Sequence, residues 1–154
     1  MKKVLFVCLG NICRSPAGES ILRHFLEKEN KSHKVEVDSC GIGDWHIGQQ
    51  AHPQMRKAAK DRGYHLTGRA KKFKQSYFQD FDYILAAEKS VLDHLQSLAI
   101  TSEDLSKLHL VTDFSEEHKG TDVPDPYYGG DDHFEETLDI LEHLCREFMN
   151  QHLN

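Results

Sequence analysis

Four consecutive apolar residues, Val4-Leu5-Phe6-Val7, lead straight into Cys8-Leu9-Gly10-Asn11-Ile12-Cys13-Arg14-Ser15-Pro16, and Ile21, Leu22, Phe25 and Leu26 then recur at helical spacing between Ala17 and Glu29. A strand, a tight loop and a helix start are therefore written into the opening segment. Ser15 before Pro16 predicts the helix start, with the hydroxyl capping free amides and the proline at a position that needs no donor. Gly10 lets the loop turn where a side chain would obstruct.

The alternation of strand and helix continues along the chain. Val35-Glu36-Val37-Asp38-Ser39 reads as a second strand. Pro53 to Arg62 is predicted as a helix with Met55, Ala58 and Ala59 inward, stopped by Gly63. Phe81 to Ala87 is predicted as a strand ended by Glu88, and a helix with the stripe Val91, Leu92, Leu95 and Leu98 follows. Leu108-His109-Leu110-Val111 makes a short fourth strand. The last helix, from about 132 to 152, places Phe134, Leu138, Leu141, Cys145 and Phe148 on one face. Strands alternating with helices predict an α/β fold: a four-stranded parallel twisted sheet with helices on both faces, a flavodoxin-like three-layer sandwich. No linker or repeat interrupts the chain, so residues 1–154 are expected to form a single domain. In such sheets ligands bind beyond the carboxyl ends of the strands, where the sequence puts Cys8.

The loop after the first strand points backbone N–H groups and the positive end of a helix into one small bowl suited to a tetrahedral dianion. Cys8 would lie at its bottom and Arg14 along its rim, where a guanidinium grips two phosphate oxygens at once. The same field favours the nucleophilic thiolate. Cys-x5-Arg spacing alone fits an inert core cysteine equally well. The strand before it, the Gly-Asn within it and the Arg-Ser-Pro opening a helix after it favour the nucleophile. A second stretch, Thr121-Asp122-Val123-Pro124-Asp125-Pro126-Tyr127-Tyr128-Gly129-Gly130, brackets Asp125 between prolines. A plain turn would explain it, yet two tyrosines and two glycines exceed what a turn needs. A loop carboxyl near the bowl, such as Asp125, can also give a proton to a leaving oxygen.

The segment Val7 to Pro16 closely resembles the signature loop of the low-molecular-weight protein tyrosine phosphatases. The likeness extends through Asp38-Ser39-Cys40-Gly41, Gly43-Asp44-Trp45-His46-Ile47-Gly48, Phe81-Asp82-Tyr83-Ile84-Leu85 and Asp125-Pro126-Tyr127-Tyr128, essentially the whole chain. The resemblance implies hydrolysis of phosphotyrosine or aryl phosphates through a phosphocysteine, with Cys8, Arg14 and Asp125 catalytic. Substrate would meet the backbone of Leu9, Gly10, Asn11, Ile12, Cys13 and Ser15, with Asn11 and Ser15 also bracing the loop. It places Trp45 at the mouth of the site as an aryl wall, although the residues alone fit a loop anchor too. Tyr127 and Tyr128 would line the same pocket or serve as surface phosphorylation sites. Cys13 would form a reversible disulfide with Cys8 on oxidation, or simply fill space beneath the loop. Relatives often carry a histidine that supports the phosphate loop; here Gly68-Arg69-Ala70 offers none, and His65 is the nearest substitute.

No cofactor or metal is implied, since arginine and amides take the metal's role. The four cysteines at 8, 13, 40 and 145 lack zinc-type spacing, and the scattered histidines form no His-x3-His pair with an acidic third ligand. Reduced thiols and no signal-peptide pattern lead us to expect a cytoplasmic protein, and a monomer. No run is long enough for a membrane. The net charge of −6 argues against a nucleic-acid partner. Basic residues gather between Arg56 and Lys74 and acidic ones from Asp113 onward, which predicts two solvated faces of opposite sign, the basic one a weaker candidate for steering phosphorylated substrates. Two rivals are considered. Arsenate reductase uses the same loop but needs a close pair of relay cysteines, which Cys40 and Cys145 do not supply. A phosphocysteine carrier should lack both Arg14 and the Asp-Pro-Tyr-Tyr loop, and both are present.

Overall fold

The unbroken apolar run at the N-terminus needs cover on both faces, and strand β1 (Lys2–Cys8) lies inside the sheet with a neighbour on each side. The computed structural model describes all 154 residues. After β1 come α1 (Arg14–Lys28), β2 (Val35–Gly41), α2 (Pro53–Asp61), α3 (Tyr77–Asp80) and β3 (Tyr83–Ala86). Then follow α4 (Lys89–Leu98), α5 (Ser102–Ser106), β4 (Leu108–Leu110), a 3-10 turn (Val111–Phe114) and α6 (Asp131–His152). The four strands are all parallel, in the order β2-β1-β3-β4, so the chain leaves β1 to one side and returns on the other. That reversal opens a crevice above the end of β1.

Alternate residues of β1 feed two cores. Val4, Phe6 and Cys8 face α1 and α6, packing with Ile21, Leu22, Phe134 and Phe148. Leu5 and Val7 face the other way, with Cys40, Phe78, Val91 and Leu95. The predicted stripe of α6 is buried at every position named for it. Gly63 stops α2 in the left-handed region, φ +92°, as expected.

Several local expectations are corrected. α1 begins at Arg14 with Cys13 as its N-cap, and no side chain caps it. Ser15 lies inside the helix with its hydroxyl turned toward Cys8, so the free amides of the first turn are left for an anion. The third strand starts at Tyr83, because Phe81 closes α3 with its amide on the Tyr77 carbonyl (3.1 Å) and its ring against that of Tyr77. Val111 belongs to the 3-10 turn and not to β4. α3 and α5 are too short to produce a periodic pattern. The two charged stretches are not wholly separate faces: Arg62, just past α2, bonds Glu135, Asp139 and Glu142 of α6 at 2.8–2.9 Å. No helix is long and apolar enough to cross a membrane.

Candidate active site

β1 delivers Cys8 to the crevice, and the loop that follows is moulded against the end of β2. Cys8 pairs with Gly41, the amide of Ile42 donates to the Cys8 carbonyl (3.1 Å), and that of Gly43 donates to the Leu9 carbonyl (3.0 Å). The approach is so close that a Cβ on Gly41 would stand 2.9 Å from both the Asn11 nitrogen and the Leu9 oxygen. Asn11 takes a left-handed conformation, φ 58°, which asparagine tolerates better than most residues. Gly10 is needed for a different reason than the turn alone, since a Cβ there would press on the His46 ring at 2.9 Å.

Around the sulfur the contacts are polar. The Cys8 Sγ lies 2.9 Å from Ser15 Oγ and accepts from the Asn11 amide at 3.3 Å. The Asn11 side chain donates to Ser15 Oγ (2.8 Å) and Ser39 Oγ (3.1 Å), and its Oδ1 accepts from the Lys71 amide (2.9 Å). Ser39 in turn donates to Glu19 at 2.6 Å, and Glu19 pairs with Arg23. Loop support therefore comes from Ser39, Glu19 and the Lys71 backbone. His65 does not replace the missing histidine: it is exposed, and its carbonyl accepts from Ser20 Oγ.

Arg14 is 2% exposed, a depth a guanidinium tolerates only when paired. Its Nη1 donates to Glu88 (2.8 Å) and to the Val123 carbonyl (3.1 Å), while Nη2 reaches Asp125 at 3.5 Å. Burial alone would lower the guanidinium pKa, but the neighbouring Cys8, Glu88 and Asp125 outweigh it and raise it. Burial likewise pushes the Glu88 carboxyl up, and the bond and charge of Arg14 reverse this and hold it below its ordinary value. Because the folded pKa is depressed, the stabilisation from Glu88 is present above the ordinary carboxylate range and is lost as pH falls through the folded value. Glu88→Gln should therefore flatten the acid limb of a stability curve and reduce kcat/KM about tenfold by loosening Arg14. Denaturant titrations from pH 7 to 3 and steady-state rates check this; an unchanged curve and rate would mean Arg14 is held without Glu88.

A cavity of about 310 Å³ opens on these groups. Of the residues named from sequence, Cys8, Leu9, Gly10, Ile12, Cys13, Arg14, Trp45, Asp125, Tyr127 and Tyr128 line it, Cys8 and Arg14 buried and Leu9, Trp45 and Tyr128 exposed. Asn11 and Ser15 are both buried behind the loop as braces. Trp45 is 63% exposed and Tyr128 96%, so neither anchors a loop on the core. Asp125 Oδ1 accepts from the Tyr127 amide (3.1 Å), which fixes the carboxylate within its turn. Sequence reasoning missed His46 as a wall, Glu88 as the partner of Arg14, and Glu19 as the end of the brace. The contacts that matter for Glu88 and Glu19, to Arg14 and Ser39, join residues 74 and 20 positions apart, and His46 reads in the sequence only as part of the loop that carries Trp45. Burial, reinforced by the charge of Cys8, pushes the Cys13 and Cys40 thiols up, toward the protonated form. Cys40 also packs in the core on the opposite face of the sheet from Cys8, which removes it as a relay thiol.

Sheet, loop and cavity together define a class of α/β protein in which a cysteine, an arginine and an aspartate converge on one crevice beyond the first strand. Comparison with known proteins narrows that class. The family profile described as "Low molecular weight phosphotyrosine protein phosphatase" matches residues 3–154. A low molecular weight protein-tyrosine-phosphatase from Streptomyces coelicolor is 43% identical over 142 residues, 91% of this chain and 87% of the relative. A protein tyrosine phosphatase from Entamoeba histolytica superposes with a TM-score of 0.93 at 38% identity, covering 98% and 96% of the two chains. The YwlE arginine phosphatase superposes at 0.86 with 26% identity, covering 97% and 94%. The chain belongs to the low molecular weight phosphotyrosine protein phosphatases.

Proposed function

We propose that residues 1–154 act as one catalytic domain that hydrolyses phosphotyrosine in proteins, and aryl phosphate monoesters, through a phosphocysteine on Cys8. The observation that carries this reading is the meeting of Cys8, Arg14 and Asp125 in one cavity with aromatic walls. The phosphate dianion seats against the loop amides of residues 9–15 and the Arg14 guanidinium, which is oriented in advance by Glu88 and the Val123 carbonyl. Cys8 sulfur attacks phosphorus in line, the bond from phosphorus to the tyrosyl oxygen breaks, and Asp125 gives its proton to the departing phenolate. Water then attacks the phosphocysteine, Asp125 takes its proton, the sulfur–phosphorus bond breaks, and phosphate leaves with the thiolate restored. Arg14 and the amides hold the charge on the equatorial oxygens in both steps.

Four free cysteines, all buried, fit a reducing compartment, and we place the enzyme in the cytoplasm. Exposed Trp45, Leu9 and Tyr128 sit at the cavity mouth, where an aryl substrate accounts for them without a partner subunit, in keeping with a monomer. The experiment is hydrolysis of matched phosphotyrosine and phosphoserine peptides, with phosphoarginine as a third arm because of the likeness to YwlE. Phosphotyrosine should be cleaved at least about 100-fold faster, since only an aryl ring reaches from the walls to the floor. Steady phosphate release, unaffected by EDTA, separates a hydrolase from a carrier, which would give one stoichiometric burst. Preference for phosphoserine or phosphoarginine, or a single burst, would overturn the reading.

A further inference from the structure

On α6, well away from the cavity at its start, two histidines and a glutamate come together from parts of the chain that share no motif. Glu117 and His118 lie on the loop after the 3-10 turn, and His143 lies on α6; one candidate ligand atom from each falls within 4.8 Å of the other two. The imidazoles of His118 and His143 face each other edge-on, 5.7 Å between centroids at 66°. Both residues are half-buried, and Glu117 is exposed.

The surroundings hold this trio in place. The buried Ser115 hydroxyl bonds His143 Nε2 at 2.8 Å and fixes the plane of its ring, as the outer partners of metal-bound histidines do. The loop is folded on itself, the His118 amide donating to the Ser115 carbonyl (3.2 Å) and the His118 carbonyl accepting from both the amide (3.0 Å) and the hydroxyl (2.6 Å) of Thr121. Two imidazoles and a carboxylate are a donor set of borderline softness, suited to a four-coordinate ion that keeps one water. Ligand atoms around tetrahedral zinc stand about 3.4 Å apart, so the three atoms, all within 4.8 Å of one another, need to close by about 1.4 Å at most.

We propose that Glu117, His118 and His143 bind one zinc ion that clips the 115–120 loop to the middle of α6. The site stabilises the loop that leads into the Asp125 segment and takes no part in phosphate chemistry. Zinc also favours thiolates, so the test uses the Cys8→Ser protein to remove the reactive sulfur of the cavity. Titration calorimetry with zinc chloride should give one zinc per chain, and zinc should raise the Tm. His118→Ala and His143→Gln, each on the Cys8→Ser background, should weaken binding at least about tenfold and abolish the Tm rise. Circular dichroism without metal confirms that each variant is folded; His118→Ala lies in the loop and keeps the test decisive if freeing Ser115 disturbs α6 in the other. No zinc bound by the Cys8→Ser protein, or affinity unchanged in both histidine variants, would overturn the site.

Discussion

The Cys8→Ser protein is expected to release no phosphate from phosphotyrosine peptides or p-nitrophenyl phosphate, a loss on the order of 10⁶-fold, as when other covalent nucleophiles are removed. The bowl gathers a dianion against whatever atom ends β1, but a serine hydroxyl is not ionised there and is a far weaker nucleophile than a thiolate. The fold should be unaffected. Cys8 is 2% exposed, the exchange is small in volume, and the Asn11 amide and Ser15 hydroxyl remain as partners for the new oxygen. Phosphate-release assays beside a thermal melt separate lost chemistry from lost structure. A serine variant with the activity of the parent would end the phosphocysteine mechanism.

Asp125→Ala should slow turnover in proportion to the difficulty of the leaving group. For phenols near the tyrosine pKa, about 10, the loss should approach 10²–10⁴-fold, because an unprotonated phenolate departs slowly. For nitrophenol, which leaves well as an anion, the first step should change little, and phosphocysteine should accumulate because the water of the second step has lost its base. Asp125 Oδ1 also accepts from the Tyr127 amide, so alanine loosens the turn as well. Asp125→Asn keeps that acceptor and should show the same dependence on leaving group. A series of kcat/KM values, which report the first step alone, over aryl phosphates of graded phenol acidity measures it; a uniform fall in kcat/KM across the series would make Asp125 a structural residue and move the proton donor elsewhere.

The opening strand, loop and helix were legible because every signal agreed: an apolar run, a turn, a helical stripe and Cys-x5-Arg lie in one short stretch. The parallel sheet followed from alternation alone, and α6 from its regular stripe. Ser15 misled because a hydroxyl before proline is a good cap, whereas here the tertiary demand of Cys8 and Asn11 turned it inward. Phe81 misled because an aromatic residue beside a strand pattern reads the same whether it pairs or closes a turn of helix. Glu88 was read only as a strand end. Its pairing with Arg14 spans 74 residues, and no local pattern encodes such a distance. The same holds for His118 and His143, which a search for close histidine pairs passes over.

Arg14 reaches Val123 and Asp125 across 109 and 111 residues of chain. Those contacts exist only after β4 has docked and the 3-10 turn has swung the acid loop back over the first strand. On the proposed mechanism, a nascent chain that has made β1, β2 and α1 already carries Cys8 and Arg14, yet it lacks the proton donor Asp125 until the final crossover closes. On that mechanism, catalytic competence is thus a late property of this chain's synthesis, reporting a finished chain and leaving a half-made one silent.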